Sequence, residues 1–104
     1  MGDTQPRDGK VLFAKLFPRV REVLMRDWDP IGIAYMDDAP QDEYDAYART
    51  LCGGLFDPNL SEEGIRTYLT QVTEKHMELP SHRDAIERAA RTLVALRKEF
   101  FGAD

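Results

Sequence analysis

The chain has 104 residues, 42 % of them hydrophobic and 32 % charged, and a formal net charge of −5. That length and apolar share suffice for one domain with its own core, needing neither metal nor disulfide, and they exclude a disordered chain. The acidic balance argues against nonspecific nucleic-acid binding, which requires clustered Lys and Arg, and no apolar run reaches the roughly 18–20 residues of a membrane span.

Residues 1–9 contain Gly2, Pro6 and Gly9 without apolar periodicity and read as a flexible lead-in to a single helical domain over 10–104. Asp3 and Asp8 break the basic-then-apolar order of a secretory signal, and Pro6 stands where a myristoylation motif wants Ser or Thr. From Lys10 onward, Leu12, Phe13, Leu16, Phe17, Val20, Val23 and Leu24 follow helical spacing. Pro18 interrupts that pattern, which predicts a segment kinked or split near Phe17-Pro18 and continuing as a helix to about Asp27.

Pro30 forbids the helix from running past Asp29, and the loop over 29–39 ends in Asp37-Asp38-Ala39-Pro40. Asp38 or Ala39 is the expected cap and Pro40 suits a first helical turn. Tyr44, Tyr47, Ala48, Leu51 and Leu55 then form one apolar stripe, with Asp42, Glu43 and Asp45 near the positive end of the helix dipole and Gly53-Gly54 at its close. Ser61 is the predicted cap of a third helix opening with Glu62-Glu63, whose buried face comprises Ile65, Tyr68, Leu69, Val72 and His76, with Leu79 closing it. Ser81 is the predicted cap of the last helix, whose stripe is Ile86, Ala89, Ala90, Leu93, Leu96 and Phe100 and whose end is Gly102. No sustained period-two run or internal repeat occurs, so the pattern predicts an all-α, four-helix bundle-like domain.

Charge is distributed unevenly along this frame. Asp27, Asp29, Asp37, Asp38, Asp42, Glu43 and Asp45 follow one another with no Lys or Arg between positions 27 and 48. Such a localised field attracts a basic partner. It also has a simpler use, since carboxylates at a helix start oppose the dipole. The Trp28-Asp29-Pro30-Ile31-Gly32 corner likewise has a structural use: Trp28 closes the core, Pro30 stops the helix, and Gly32 permits a conformation closed to other residues. An exposed Trp28 edge or Asp29 could instead contact a partner.

Catalytic signatures are missing from the sequence. His76 falls on the apolar stripe and reads as a buried, hydrogen-bonded imidazole, whereas His82 reads as exposed. Cys52 lacks a basic activator and reads as a buried, inert thiol, and a single cysteine points to a reducing, cytoplasmic compartment. No hydroxyl sits in a glycine-flanked elbow, and Gly53-Gly54 follows a helix where a phosphate loop would precede one. The acidic run does not reproduce the alternating oxygen donors of a calcium loop. The last helix is the electrostatic opposite of the 27–48 segment, with Arg83, Arg88, Arg91, Arg97 and Lys98, and Glu87 is placed to pair with Arg91.

The order Trp28-Asp29-Pro30-Ile31-Gly32, then Asp42-Glu43-Tyr44-Asp45 with Tyr47, then Ser61-Glu62-Glu63 and Glu74-Lys75-His76-Met77, resembles a family of short bacterial proteins known only as a domain of unknown function. The likeness spans roughly residues 20–100. It implies a small cytoplasmic helical protein of bacterial origin and carries no activity, cofactor or ligand with it.

The expected function is therefore a non-enzymatic protein-interaction domain, an inhibitor or immunity-like module that docks a basic protein surface. Its expected contact residues are Trp28, Asp29, Asp37, Asp38, Asp42, Glu43 and Asp45, with no cofactor. The alternative is a small-ligand- or divalent-metal-binding accessory domain grouping Asp29, Asp42 and Asp45 with the hydroxyls of Tyr44 and Tyr47. Self-association through Phe13, Phe17 and Phe101 is a third route.

Overall fold

The computed structural model describes residues 5–30, 32 and 44–102, with side chains from Gly9 onward. Four α-helices build it: α1 (Gln5–Val23), α2 (Asp45–Gly54), α3 (Glu62–Gln71) and α4 (Arg83–Phe101). Two π-helical turns extend the first and third, π1 (Leu24–Trp28) after α1 and π2 (Val72–His76) after α3. No strand occurs among the described residues, so the domain is all-α and four-helix bundle-like, as the periodicity predicts.

The helix α1 begins at Gln5, earlier than its apolar periodicity, and passes through Pro18 without splitting. The reason lies on the solvent side. Pro18 and Ala14 are both exposed, so the Ala14 carbonyl that loses its helical donor faces water, while Leu16 and Val20 remain fully buried. The chain then widens into π1, where the Asp29 amide donates to the Leu24 carbonyl at 2.8 Å, five residues back. Pro30 ends the run, as expected.

One core joins the four helices. Leu16, Val20, Val23 and Leu24 meet Ala48, Leu51, Cys52 and Leu55 from α2 and its end, and α4 contributes Ile86, Ala89, Ala90, Leu93 and Leu96. Ile65, Leu69 and Val72 close the remaining side. α4 is the central element: it packs on α1, α3 and π1, while α2 packs on α1. The apolar stripes read from spacing face inward, except at His76 on the third.

Helix ends show which local signals act. Ser61 caps α3 as predicted, its Oγ accepting from the Gly64 amide at 3.0 Å. Ser81 does not cap α4; His82 takes that place without a side-chain bond, and the Ser81 Oγ is buried with no hydrogen-bond partner among the described residues. Gly102, at φ +84°, ends α4 in the left-handed region. Gly54 ends α2 for a different reason. Its φ is not positive, but a Cβ there would stand 2.9 Å from Leu60 Cδ2, and one at Gly64 would stand 3.1 Å from Leu60 Cδ1. Leu60 is thus seated between two helices that only glycine lets approach so closely.

Candidate functional site

The acidic corner sits where π1 leaves the core and α2 enters it. Trp28 is only 4 % exposed, which bears out its reading as the residue that closes the core and leaves no exposed indole edge for the partner contact also expected of it. Its ring lies 5.1 Å from Tyr44 and edge-on to Tyr47 at 5.9 Å, and its Nε1–H donates to Thr73 Oγ1 at 3.1 Å. The Thr73 hydroxyl in turn donates to the Leu69 carbonyl at 2.7 Å. An indole buried without an acceptor would be costly, and Thr73 supplies that acceptor from across the bundle.

Asp29 holds the corner itself. It adopts φ 28° and ψ 62°, a left-handed conformation uncommon outside glycine but tolerated by Asp, and its amide is the one bonded to Leu24. Its carboxylate Oδ1 accepts from the Tyr44 hydroxyl at 2.8 Å. Gly32 follows at φ +82°, as the turn requires. Tyr44 is 1 % exposed, so this hydrogen bond ties Asp29 to a buried side chain at the start of α2.

A second clasp lies beside the first. The Arg21 guanidinium grips Asp45 through two bonds of 2.8 Å, Nε to Oδ1 and Nη2 to Oδ2, while stacking over the Phe17 ring at 5.2 Å. Arg49 approaches the same ring at 5.5 Å. This bidentate pair fixes the first turn of α2 on α1. Asp27 is also drawn inward, 8 % exposed, with Arg26 Nε at 3.4 Å and Arg88 Nε at 4.0 Å.

Of the seven expected contact residues, the structure therefore brings together Trp28, Asp29 and Asp45 and engages each inside the domain. Asp37, Asp38, Asp42 and Glu43 lie outside the described residues. The expected cap at Asp38 or Ala39 is corrected: α2 starts at Asp45, and Tyr44 takes the capping position without a side-chain bond because its ring is committed to the core. Sequence reasoning grouped the Tyr44 hydroxyl with Asp29 only as part of a ligand set, and it missed Arg21 and Thr73. Neither of those two had a local signal: Thr73 lies 45 positions from Trp28 and Arg21 lies 24 from Asp45.

The remaining reactive groups are placed as follows. Cys52 is fully buried, its Sγ 3.9 Å from the Phe13 carbonyl, and burial pushes its thiol up to about 11. Burial also raises the Tyr68 phenol, an effect the Thr50 hydroxyl partly offsets. His76 is exposed, which corrects the expectation of a buried imidazole. The π-turn widens the helix at Val72 and moves Thr73 into the core, so the next position on the stripe no longer points inward. His82 is exposed, as predicted, and Glu87 and Arg91 do not form the expected pair among the described residues.

No cluster of three metal-ligating side chains exists among the described residues. A groove of about 780 Å³ runs between α3 and α4, where Glu63, Arg66, Thr70, Ser81, Arg83 and Glu87 give it mixed charge. No described helix is long and apolar enough to cross a membrane. Comparison with protein-family models, curated proteins and solved structures finds no match to this chain.

Proposed function

We propose that the chain is a non-enzymatic interaction domain of the inhibitor or immunity type, docking a basic protein surface through its acidic segment. The observation that carries this reading is the 2.8 Å hydrogen bond from Tyr44 to Asp29. It pins both ends of a stretch that contains Asp37, Asp38, Asp42 and Glu43 and no Lys or Arg. A segment anchored at one point on a rigid core, and charged with one sign, suits steered recognition of the opposite sign.

The described carboxylates at the ends take a supporting part. Asp45 is neutralised by Arg21 and Asp27 by Arg26 and Arg88, so the four between Asp29 and Tyr44 carry the recognition. Trp28 anchors the corner from within. The sealed thiol of Cys52 supports the non-enzymatic reading and, as a free cysteine, a reducing cytoplasmic setting.

The test is affinity capture from a lysate of the source organism at low and high salt. The native chain runs beside an Asp37→Asn/Asp38→Asn/Asp42→Asn/Glu43→Gln variant that leaves Asp45 and its clasp intact. A basic protein held by the native chain, released by salt and lost with the variant supports the reading. Equal capture by both chains refutes it.

A further inference from the structure

Four aromatic rings form a row across α1, the turn after α2 and the end of α4, running from Phe17 beneath the Arg21 clasp to Phe101 at the far end. Phe17 stacks with Phe13 at 6.2 Å, Phe13 with Phe56 at 6.2 Å, and Phe56 meets Phe101 edge-on at 4.9 Å. Phe13 and Trp28 are about 20 Å apart along α1 and π1 at the usual helical rise. Phe56 and Phe101 are 37 % and 40 % exposed. Two open grooves meet at Phe56, one of about 450 Å³ against Lys10 and Phe13 and one of about 430 Å³ against Arg97, Lys98 and Phe101.

Among the described residues, the charged side chains that line these grooves, Lys10, Arg97 and Lys98, share one sign. Among the described residues no carboxylate side chain lines either groove, although the chain holds 19 acidic residues against 14 basic ones. Lys10 and Lys98 form no ion pair among the described residues. Among the described residues Arg97 bonds only the carbonyls of Asp57 and Leu60, at 3.2 and 2.7 Å, and has no carboxylate counter-ion.

An aromatic floor with a cationic rim complements an apolar stripe with acidic flanks, the pattern of a helix laid in a groove. A symmetric second copy fits poorly, because an isologous contact would set the same cations against themselves. A small anionic amphiphile fits poorly as well, since ligand pockets enclose most of their guest and these grooves are open. We infer that this face docks an acidic amphipathic helix of another protein, a contact separate from the one at the acidic segment.

The experiment uses the full chain and two labelled helical peptides of one design. Both carry Leu and Phe at i, i+3, i+4 and i+7; one has Glu flanks and the other Lys flanks. The Glu-flanked peptide binds about tenfold or more tighter, and Phe56→Ala/Phe101→Ala weakens it by about tenfold or more. Lys10→Glu/Lys98→Glu, at two exposed positions that keep the melting midpoint, reverses the preference. Arg83→Glu/Arg91→Glu makes the same charge change elsewhere on α4 and leaves it. No binding, equal affinity for the two peptides, or an equal loss with the Arg83/Arg91 variant overturns the inference. So does a sedimentation mass that rises with concentration and is abolished by Phe56→Ala/Phe101→Ala, which would assign the face to a second copy. Binding to phosphatidylglycerol vesicles in place of the Glu-flanked peptide overturns it too.

Discussion

The Trp28 indole donates to the Thr73 hydroxyl at 3.1 Å, tying the π-turn that ends α1 to the π-turn that extends α3. Both turns are followed by a non-glycine residue in the left-handed region, Asp29 at φ 28° and Glu78 at φ 55°. The widened turns and the strained residues behind them belong to one arrangement. Each π-turn carries a buried side chain of the shared core, Trp28 in the first and Thr73 in the second.

Thr73→Val keeps the shape of that contact and removes the acceptor. The indole N–H is then buried without a partner, and the expected loss is about 1–3 kcal/mol. Urea unfolding followed by far-UV circular dichroism, a signal that survives removal of the indole, reads it as a lower midpoint at unchanged slope. A Trp28→Phe/Thr73→Val double variant is expected to lose less than the sum of the singles, because the two groups share one bond.

Leu60 predicts a second non-additive pair. Gly54→Ala and Gly64→Ala each place a methyl against one branch of Leu60, at 2.9 and 3.1 Å, and Leu60 can shift away from either. The helix-propensity gain of up to about 1 kcal/mol at Gly64 offsets much of that displacement. In the double variant Leu60 is pressed from both sides. Thermal melts are expected to show two mild singles and a double that falls below their sum by more than about 1 kcal/mol.

The Arg21–Asp45 clasp is half-open to solvent, with side chains 41 % and 18 % exposed. Solvent screening holds its contribution to about 1 kcal/mol or less, despite its bidentate geometry. Asp45→Asn is therefore expected to lower stability slightly, and the difference from the native chain should shrink at high salt. Chemical denaturation with urea at two salt concentrations checks this, since urea adds no ions of its own.

Cys52 gives the pH dependence a direction. Its thiol titrates near 11 in the folded chain against 9.0 for an ordinary cysteine, so between those values the folded state binds the proton that the unfolded state releases. Stability contributed by this site is complete below pH 9 and declines as pH rises toward 11. Cys52→Ser or Cys52→Ala should flatten that alkaline slope. In the native chain iodoacetamide is expected to react only as fast as the core opens.

How far the sequence anticipates the structure depends on the range over which each cause acts. The inward stripes of α2 and α4 were legible because a helical period is local and burial follows it. Ser61 was legible as a cap for the same reason, whereas Ser81 carries the same residue type and fails, because its neighbour His82 takes the capping position. Pro18 has the local signature of a break, yet an exposed carbonyl at Ala14 removes most of the penalty. The π-turns left no periodic trace, and that one-residue widening is what put Thr73 inside and His76 outside. At the acidic corner the charges could be read but their partners could not. Arg21 and Tyr44 reach Asp45 and Asp29 only once α1 and α2 pack side by side.

The most direct measurement is the association rate of the native chain with the basic protein it captures, compared with the Asp37→Asn/Asp38→Asn/Asp42→Asn/Glu43→Gln variant across a salt series. Recognition through a charged segment closed by Asp29 and Tyr44 predicts an association rate at least about tenfold slower for the variant at low salt. It also predicts rates that converge at high salt and a smaller change in dissociation. Equal association rates for the two chains at low salt would contradict it.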